Sequence, residues 1–207
     1  MLYVGKGRKS FAPGVSFNEL LHEYTLKGRR LSGVTGKICE RMKLNFKDAE
    51  NLVVERCDEG SQVHKWIQEY LDTGVMSTIH PKALWVKKEL TRRYSDCDMN
   101  ALAMSEVLIT DFGNYASAID IVVEHNGTYD LFDIKTGAFK PEYLAWQLGI
   151  YKTWLEMQGK TVGRCYCICT KDEMFYKVLP RSADDVKALL YGNQRRNYEN
   201  QRSYFYT

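Results

Sequence analysis

The chain has 207 residues, 44% of them hydrophobic and 27% charged, which suits one globular domain with extensions and excludes disordered, collagen-like and disulfide-stapled classes. The net charge of +3, from 29 Lys and Arg against 26 Asp and Glu, excludes a histone-like binder. It leaves room for a nucleic-acid enzyme, in which an acidic site offsets a basic groove.

No apolar run approaches the roughly 20 residues of a membrane span. The segment Met1 to Lys9 lacks an apolar signal core, so the expectation is a cytoplasmic protein with no membrane partner. Six cysteines, at 39, 57, 97, 165, 167 and 169, then read as free thiols of a reducing compartment.

In chain order, Phe11-Ala12-Pro13-Gly14 is a turn signal. The first 55 or so residues mix short elements. Arg30 to Gly36 reads as a loop, with Ser32 or Thr35 placed to cap a following helix. Two helices are expected between Val34 and Leu71. The later one carries Val63, Trp66, Ile67, Tyr70 and Leu71 as an apolar stripe at helical spacing, and Gly74 stops it. Pro81 opens a third helix, running to about Tyr94.

The pattern then changes to strands over Ala101–Ile109, Ala116–Glu124 and Tyr129–Lys135. The last two are joined by an Asn126-Gly127 turn, and together the three form a β-meander. Pro141 starts a helix with Leu144, Leu148, Ile150, Tyr151, Trp154 and Leu155 on its apolar positions, ended by Gly159. Two more strands follow, at about 161–170 and 173–179, then a helix from about Ser182. The tail from Asn193 to Thr207 is polar and aromatic. The fold class is α+β, a mostly antiparallel or mixed central sheet flanked by helices.

Chemistry concentrates on the hairpin. Alternation along a strand puts Asp133 and Lys135 on one side and Ile134 in the core, and the Asn-Gly turn folds Asp120 back towards Asp133. Two carboxylates and an ammonium at one sheet end suit a hard cation, which takes oxygen ligands from carboxylates, carbonyls, waters and phosphate. Asp120, Asp133 and the carbonyl of Ile134 supply such oxygens. Lys135 is placed to orient a water and help deprotonate it. Around them stand Gly60 and His64 on an upstream helix, Glu106 on the preceding strand, Thr136-Gly137 directly after the lysine, and Gln147 and Tyr151 at i,i+4 on the next helix.

In order, Gly60-x-x-x-His64, Glu106, Ile119-Asp120, Asp133-Ile134-Lys135-Thr136-Gly137 and Gln147-x-x-x-Tyr151 resemble the RecB-type, Cas4-like branch of the PD-(D/E)xK nuclease superfamily. That branch includes phage exonucleases and the mitochondrial genome maintenance exonuclease. The resemblance covers residues 60–155, with a fainter echo in His22-x-Tyr24 and Leu31-Ser32-Gly33-Val34-Thr35. It implies a restriction-endonuclease-like core and Mg²⁺- or Mn²⁺-dependent cleavage of DNA, in phage or bacterial recombination, repair or processing. It assigns metal ligation to His64, Asp120, Asp133 and the Ile134 carbonyl, and catalysis to Asp120, Asp133, Lys135 and Glu106, the last near the metal or its water. Gln147, Tyr151 and Thr136 are assigned to the substrate side. Ser117 stands where the family often has Gly.

The expected layout is one nuclease domain. Residues 1–59 form an extension that, with the helices at 48–94, shapes a DNA channel; 60–180 form the core; 181–207 form a helix and tail. DNA is the expected partner, together with a recombination or repair protein, in a bacterial or phage-infected cell. Lys87, Lys88, Arg92 and Arg93 form a basic patch on one helix. Some Cas4-like members hold an iron–sulfur cluster, but Cys165-x-Cys167-x-Cys169 puts three thiols on one face of a strand, about 6.6 Å apart per pair at ~3.3 Å per residue. Cluster ligation favours loops with wider spacing, so no cluster is expected. A restriction-type endonuclease and a non-catalytic nucleic-acid-binding protein on a nuclease fold are the alternative readings.

Overall fold

The computed structural model describes residues 10–18, 21, 23–43, 57–95 and 102–192. Eight strands are β1 (Val15–Asn18), β2 (Glu23–Leu26), β3 (Arg29–Gly33), β4 (Ala103–Thr110), β5 (Tyr115–His125), β6 (Thr128–Lys135), β7 (Val162–Cys169) and β8 (Met174–Lys177). Among the described residues five helices accompany them: α1 (Val34–Arg41), α2 (Cys57–Thr73), α3 (Pro81–Arg93), α4 (Pro141–Met157) and α5 (Ala183–Tyr191). The strands form one open mixed sheet in the order β1-β2-β3-β5-β6-β7-β8, with β4 paired to the other edge of β5. The β3–β5 and β6–β7 pairs are parallel and the remainder antiparallel.

Helices cover both faces. Val34 and Ile38 of α1, Leu144, Leu148 and Trp154 of α4, and Val186 and Leu190 of α5 share one core with the near side of the sheet. Val63, Ile67 and Leu71 of α2 and Val86 and Leu90 of α3 share another with Ile121, Phe132 and Ile134. The apolar stripe expected on the second helix is thus what seats it on the sheet. Asn126 and Gly127 both have positive φ, 51° and 74°, as the tight β5–β6 hairpin turn requires. Pro81 and Pro141 open α3 and α4, and Ser182 accepts the Asp185 amide as N-cap of α5.

Two readings of the N-terminal part are corrected. Arg30 to Gly36 is not a loop: Arg29–Gly33 is a strand that joins the main sheet, and α1 begins directly after it. Only Leu31 of that strand is buried, so no alternation of apolar residues marked it. Neither Ser32 nor Thr35 caps α1; Gly33 is the N-cap, with no side-chain capping bond. His22, residues 44–56, Cys97 and the tail from Asn193 lie outside the described residues, as does the side chain of Cys57.

Candidate metal centre and cleft

The site lies where β5 changes partner. Residues Ile121 to His125 pair with β6, and Tyr115 and Ala116 pair with β3 on the same edge. Between them, at Asp120, the β5–β6 ladder has ended. Asp120 closes the opening itself, accepting the Ile134 amide on Oδ2 at 2.6 Å. A strand residue sends its N–H and C=O to the same edge, so the Ile134 carbonyl is turned towards this opening too.

A second irregularity aims the acids. Along β4, Ala103 packs with α2 and Ser105 donates to Asp72 of that helix, whereas Val107 and Ile109 join the core of α4 on the opposite face. On β5, Ile121 and Val123 face α2, whereas Ile119 faces α4. Strict alternation would keep each set on one face. Both strands reverse at the same level, where Glu106 stands opposite Asp120 in the register. Glu106 has φ 47°, a left-handed conformation that costs a non-glycine residue of order 1–3 kcal/mol and that clusters at functional sites. The reversal turns both carboxylates towards α2, where His64 waits. His64 Nδ1 lies 3.7 Å from Asp120 Oδ1 and 3.9 Å from Glu106 Oε1.

His64, Glu106 and Asp120 each place a ligand atom within 4.8 Å of the others. One imidazole nitrogen and two carboxylate oxygens, with the Ile134 carbonyl at hand, suit Mn²⁺ or Mg²⁺. The electrostatics match a site short of positive charge. Burial alone would lower the His64 pKa, but Asp120 and Glu106 outweigh it and push it up to about 9. Burial and the Glu106 charge raise the Asp120 pKa, against the opposing pull of His64 and Lys135.

Asp133 and Lys135 reach the opening from the α4 side. Lys135 Nζ lies 2.6 Å from Asp133 Oδ2 and 3.4 Å from Gln147 Oε1, with the Tyr143 ring centroid at 5.8 Å. Burial raises the Asp133 pKa to about 6, with Lys135 resisting. Burial alone would lower the Lys135 pKa, but Asp133 and Asp120 hold it well above the ordinary range, so the group stays an ammonium. Gln147 Nε2 donates to Tyr151 Oη at 2.8 Å, and that hydroxyl lies 3.0 Å from Ser117 Oγ. Ser117 therefore works as an anchor for Tyr151 where a glycine has nothing to offer.

The expected residues are brought together, with one regrouping. Glu106, expected near the metal or its water, stands with His64 and Asp120; Asp133, expected as their fellow ligand, pairs with Lys135 instead. Gly60 and Thr136 meet: a Cβ on Gly60 would lie 2.9 Å from Thr136 Oγ1, so the glycine lets α2 approach the end of β6. Tyr143 was missed, although it precedes Gln147 by four residues on the same stripe of α4. An open cleft of about 510 Å³ gives access, lined by Phe17 and Tyr24 on one side and by Ser61, His64, Lys65 and Gln68 on the other, with Glu106, Ser117, Asp120, Gln147 and Tyr151 between.

Other groups singled out in the sequence stand outside the ligand set. Cys165, Cys167 and Cys169 are free thiols buried in the core shared with α4, with Cys167 and Cys169 opposite Asp133 and Lys135 in the β6–β7 register; Cys165 and Cys167 pack as small apolar groups, and the Cys169 thiol donates to the Gly137 carbonyl and to Asp172 Oδ2. On α3, Lys87 lies over the Tyr70 ring, Arg92 pairs with Glu89, and Arg93 lies over Tyr166 and Phe175. No protein-family model matches the chain, and no curated protein matches it. The resemblance to PD-(D/E)xK nucleases thus rests on the motif residues alone.

Proposed function

We propose that the chain is a divalent-metal-dependent DNA nuclease with a restriction-endonuclease-like core, an exonuclease hydrolysing phosphodiester bonds in phage or bacterial recombination, repair or processing. The observation that carries this is the meeting of His64, Glu106 and Asp120 in an open cleft beside an Asp133–Lys135 ion pair. A structural salt-bridge cluster has no need of three ligand-type groups turned to one point by a matched reversal of two strands.

His64, Glu106 and Asp120 would hold Mg²⁺ or Mn²⁺. When bound, the ion supplies Lewis acidity, lowering the pKa of a water and neutralising charge on the phosphate. The chain's own groups then have distinct tasks. Lys135, kept charged by Asp133, is a hydrogen-bond donor towards the phosphate oxygens and the attacking water, a stabiliser of developing negative charge rather than a base. Gln147 tethers the ammonium from the α4 side, and Tyr151 fixes Gln147. Thr136 sets the contact between α2 and the end of β6.

Digestion of end-labelled linear and circular DNA, single- and double-stranded, with Mg²⁺, Mn²⁺ or EDTA tests the proposal. Metal-dependent loss of linear substrates with circles spared supports it. Cleavage at one fixed internal sequence of circular duplex DNA replaces the exonuclease with a restriction-type enzyme. No cleavage of any substrate with either ion overturns the nuclease reading.

A further inference from the structure

A lysine ammonium carries three N–H donors and no acceptor. On Lys135 two of them have acceptors in the protein, Asp133 Oδ2 at 2.6 Å and Gln147 Oε1 at 3.4 Å. The ammonium also lies over the ring of Tyr143, with the centroid 5.8 Å from Nζ. Tyr143 is itself held at both ends. It is the third residue of α4, on the stripe shared with Gln147 and Tyr151. Its hydroxyl hydrogen-bonds with the Thr35 side chain in the first turn of α1. Glu142, next to it, is engaged by Trp146 and Arg181, so the ammonium meets a ring rather than a further carboxylate. Burial raises the Tyr143 pKa, with Lys135 opposing, and the phenol stays neutral.

From this arrangement we infer that Tyr143 is a positioning residue for Lys135: its ring holds the ammonium by cation–π attraction and leaves the third N–H free for a phosphate oxygen. The inference rests on the nuclease reading and adds to it the residue that seats the charge. A ring contact consumes no donor, because the attraction is to the ring quadrupole and not to a lone pair. A carboxylate or amide in the place of Tyr143 would take the last donor. An aliphatic side chain would leave the flexible lysine stem without this support. The ring also makes no directional demand, so the ammonium can shift from Asp133 towards substrate without leaving it.

The test uses the full chain with Mn²⁺ and labelled linear DNA under single turnover, with Mn²⁺ affinity and the DNA concentration dependence measured alongside. Tyr143→Leu keeps an apolar side chain and loses the π-face. It should lower the cleavage rate about 2- to 30-fold, the span of cation–π attraction from exposed to desolvated settings, while Mn²⁺ affinity and half-saturating DNA stay in place. Tyr143→Phe, which keeps the ring and gives up the Thr35 bond, should recover most of that loss. Mono-, di- and trifluorinated phenylalanine at position 143 nearly keep the shape and weaken the quadrupole, so the rate should fall stepwise along the series. In a Lys135→Ala background none of these changes should lower the residual rate further, since residues that act through one another are not additive.

A Tyr143→Leu rate equal to wild type, a flat fluorine series, or a loss that persists without Lys135 overturns the inference and leaves the nuclease standing. If wild type cleaves no DNA with either ion, the nuclease reading fails. The seat is then judged by the NMR signal of the Lys135 ε-methylene, assigned by its disappearance in Lys135→Ala. A ring-current shift that vanishes in Tyr143→Leu and remains in Tyr143→Phe upholds the seat; one unchanged position in all three proteins overturns it.

Discussion

Binding of Mn²⁺ should release close to one proton from His64, and affinity should climb with pH well past neutrality. An unperturbed imidazole has a pKa of roughly 6.5, which would make affinity flat above about pH 7.5. In this protein Asp120 and Glu106, at 3.7 and 3.9 Å, hold the ring protonated to about pH 9. Only the neutral ring ligates a metal. Affinity should therefore rise about tenfold per pH unit up to about pH 9, and at pH 7.5 lie about 30-fold below its plateau. Titration calorimetry of wild type at pH 6.5, 7.5 and 8.5, in pairs of buffers differing in ionisation enthalpy, gives both slope and proton count. His64→Gln should release no proton and show a flatter profile. A flat wild-type profile from pH 7 to 9, or no proton released, refutes the geometry assigned to His64. The same shift carries a stability statement for the metal-free protein. The folded pKa is raised, so the contribution is complete below about pH 6.5 and lost as pH rises through about 9. The shift from 6.5 to about 9 sets a ceiling of about 3 kcal/mol.

Two further expectations concern the scaffold. Asp130, 4% exposed at its side chain, accepts bonds from Tyr94, the Arg164 side chain and the Arg164 amide; Asp130→Ala should cost about 2–4 kcal/mol in urea unfolding, less than a fully buried pair because Arg164 is half exposed. Burial alone would raise the Asp130 pKa, but Arg164 and Tyr94 hold it below the ordinary value, so this contribution is present above about pH 4 and is lost as pH falls below it. Gly60→Ala should press on Thr136 Oγ1 at 2.9 Å, costing about 1–3 kcal/mol and weakening Mn²⁺ binding; adding Thr136→Ala, which removes the atom in the way, should restore both stability and affinity.

The parts of the fold that were legible are those whose residues repeat with a period. The α2 stripe from Val63 to Leu71, the Asn126-Gly127 turn and the β5–β6 hairpin all stand as expected. Of the β3 residues only Leu31 is buried, so the strand left no periodic trace; its place is set by pairing with Tyr115 and Ala116 on β5, a long-range fact. The candidate site was legible as a set of residues and illegible in its grouping. Alternation correctly put Asp133 and Lys135 on one side of β6. Nothing in the local sequence of Ala103 to Thr110 announces a left-handed Glu106, and that single dihedral, matched by the reversal at Asp120, is what turns Glu106 towards His64.

If the cleft cleaves DNA with a metal held by His64, Glu106 and Asp120 and charge stabilised by Lys135, metal binding and turnover separate between two variants. The most direct measurement compares Mn²⁺ binding and single-turnover DNA cleavage for wild type, Asp120→Ala and Lys135→Ala, each checked for folding by circular dichroism. Asp120→Ala should lose both metal binding and cleavage, and Lys135→Ala should bind Mn²⁺ within a few-fold of wild type while its cleavage falls by about 10²–10³, the loss typical of removing one preorganised charge-stabilising donor. Near-wild-type cleavage by either folded variant would contradict these roles.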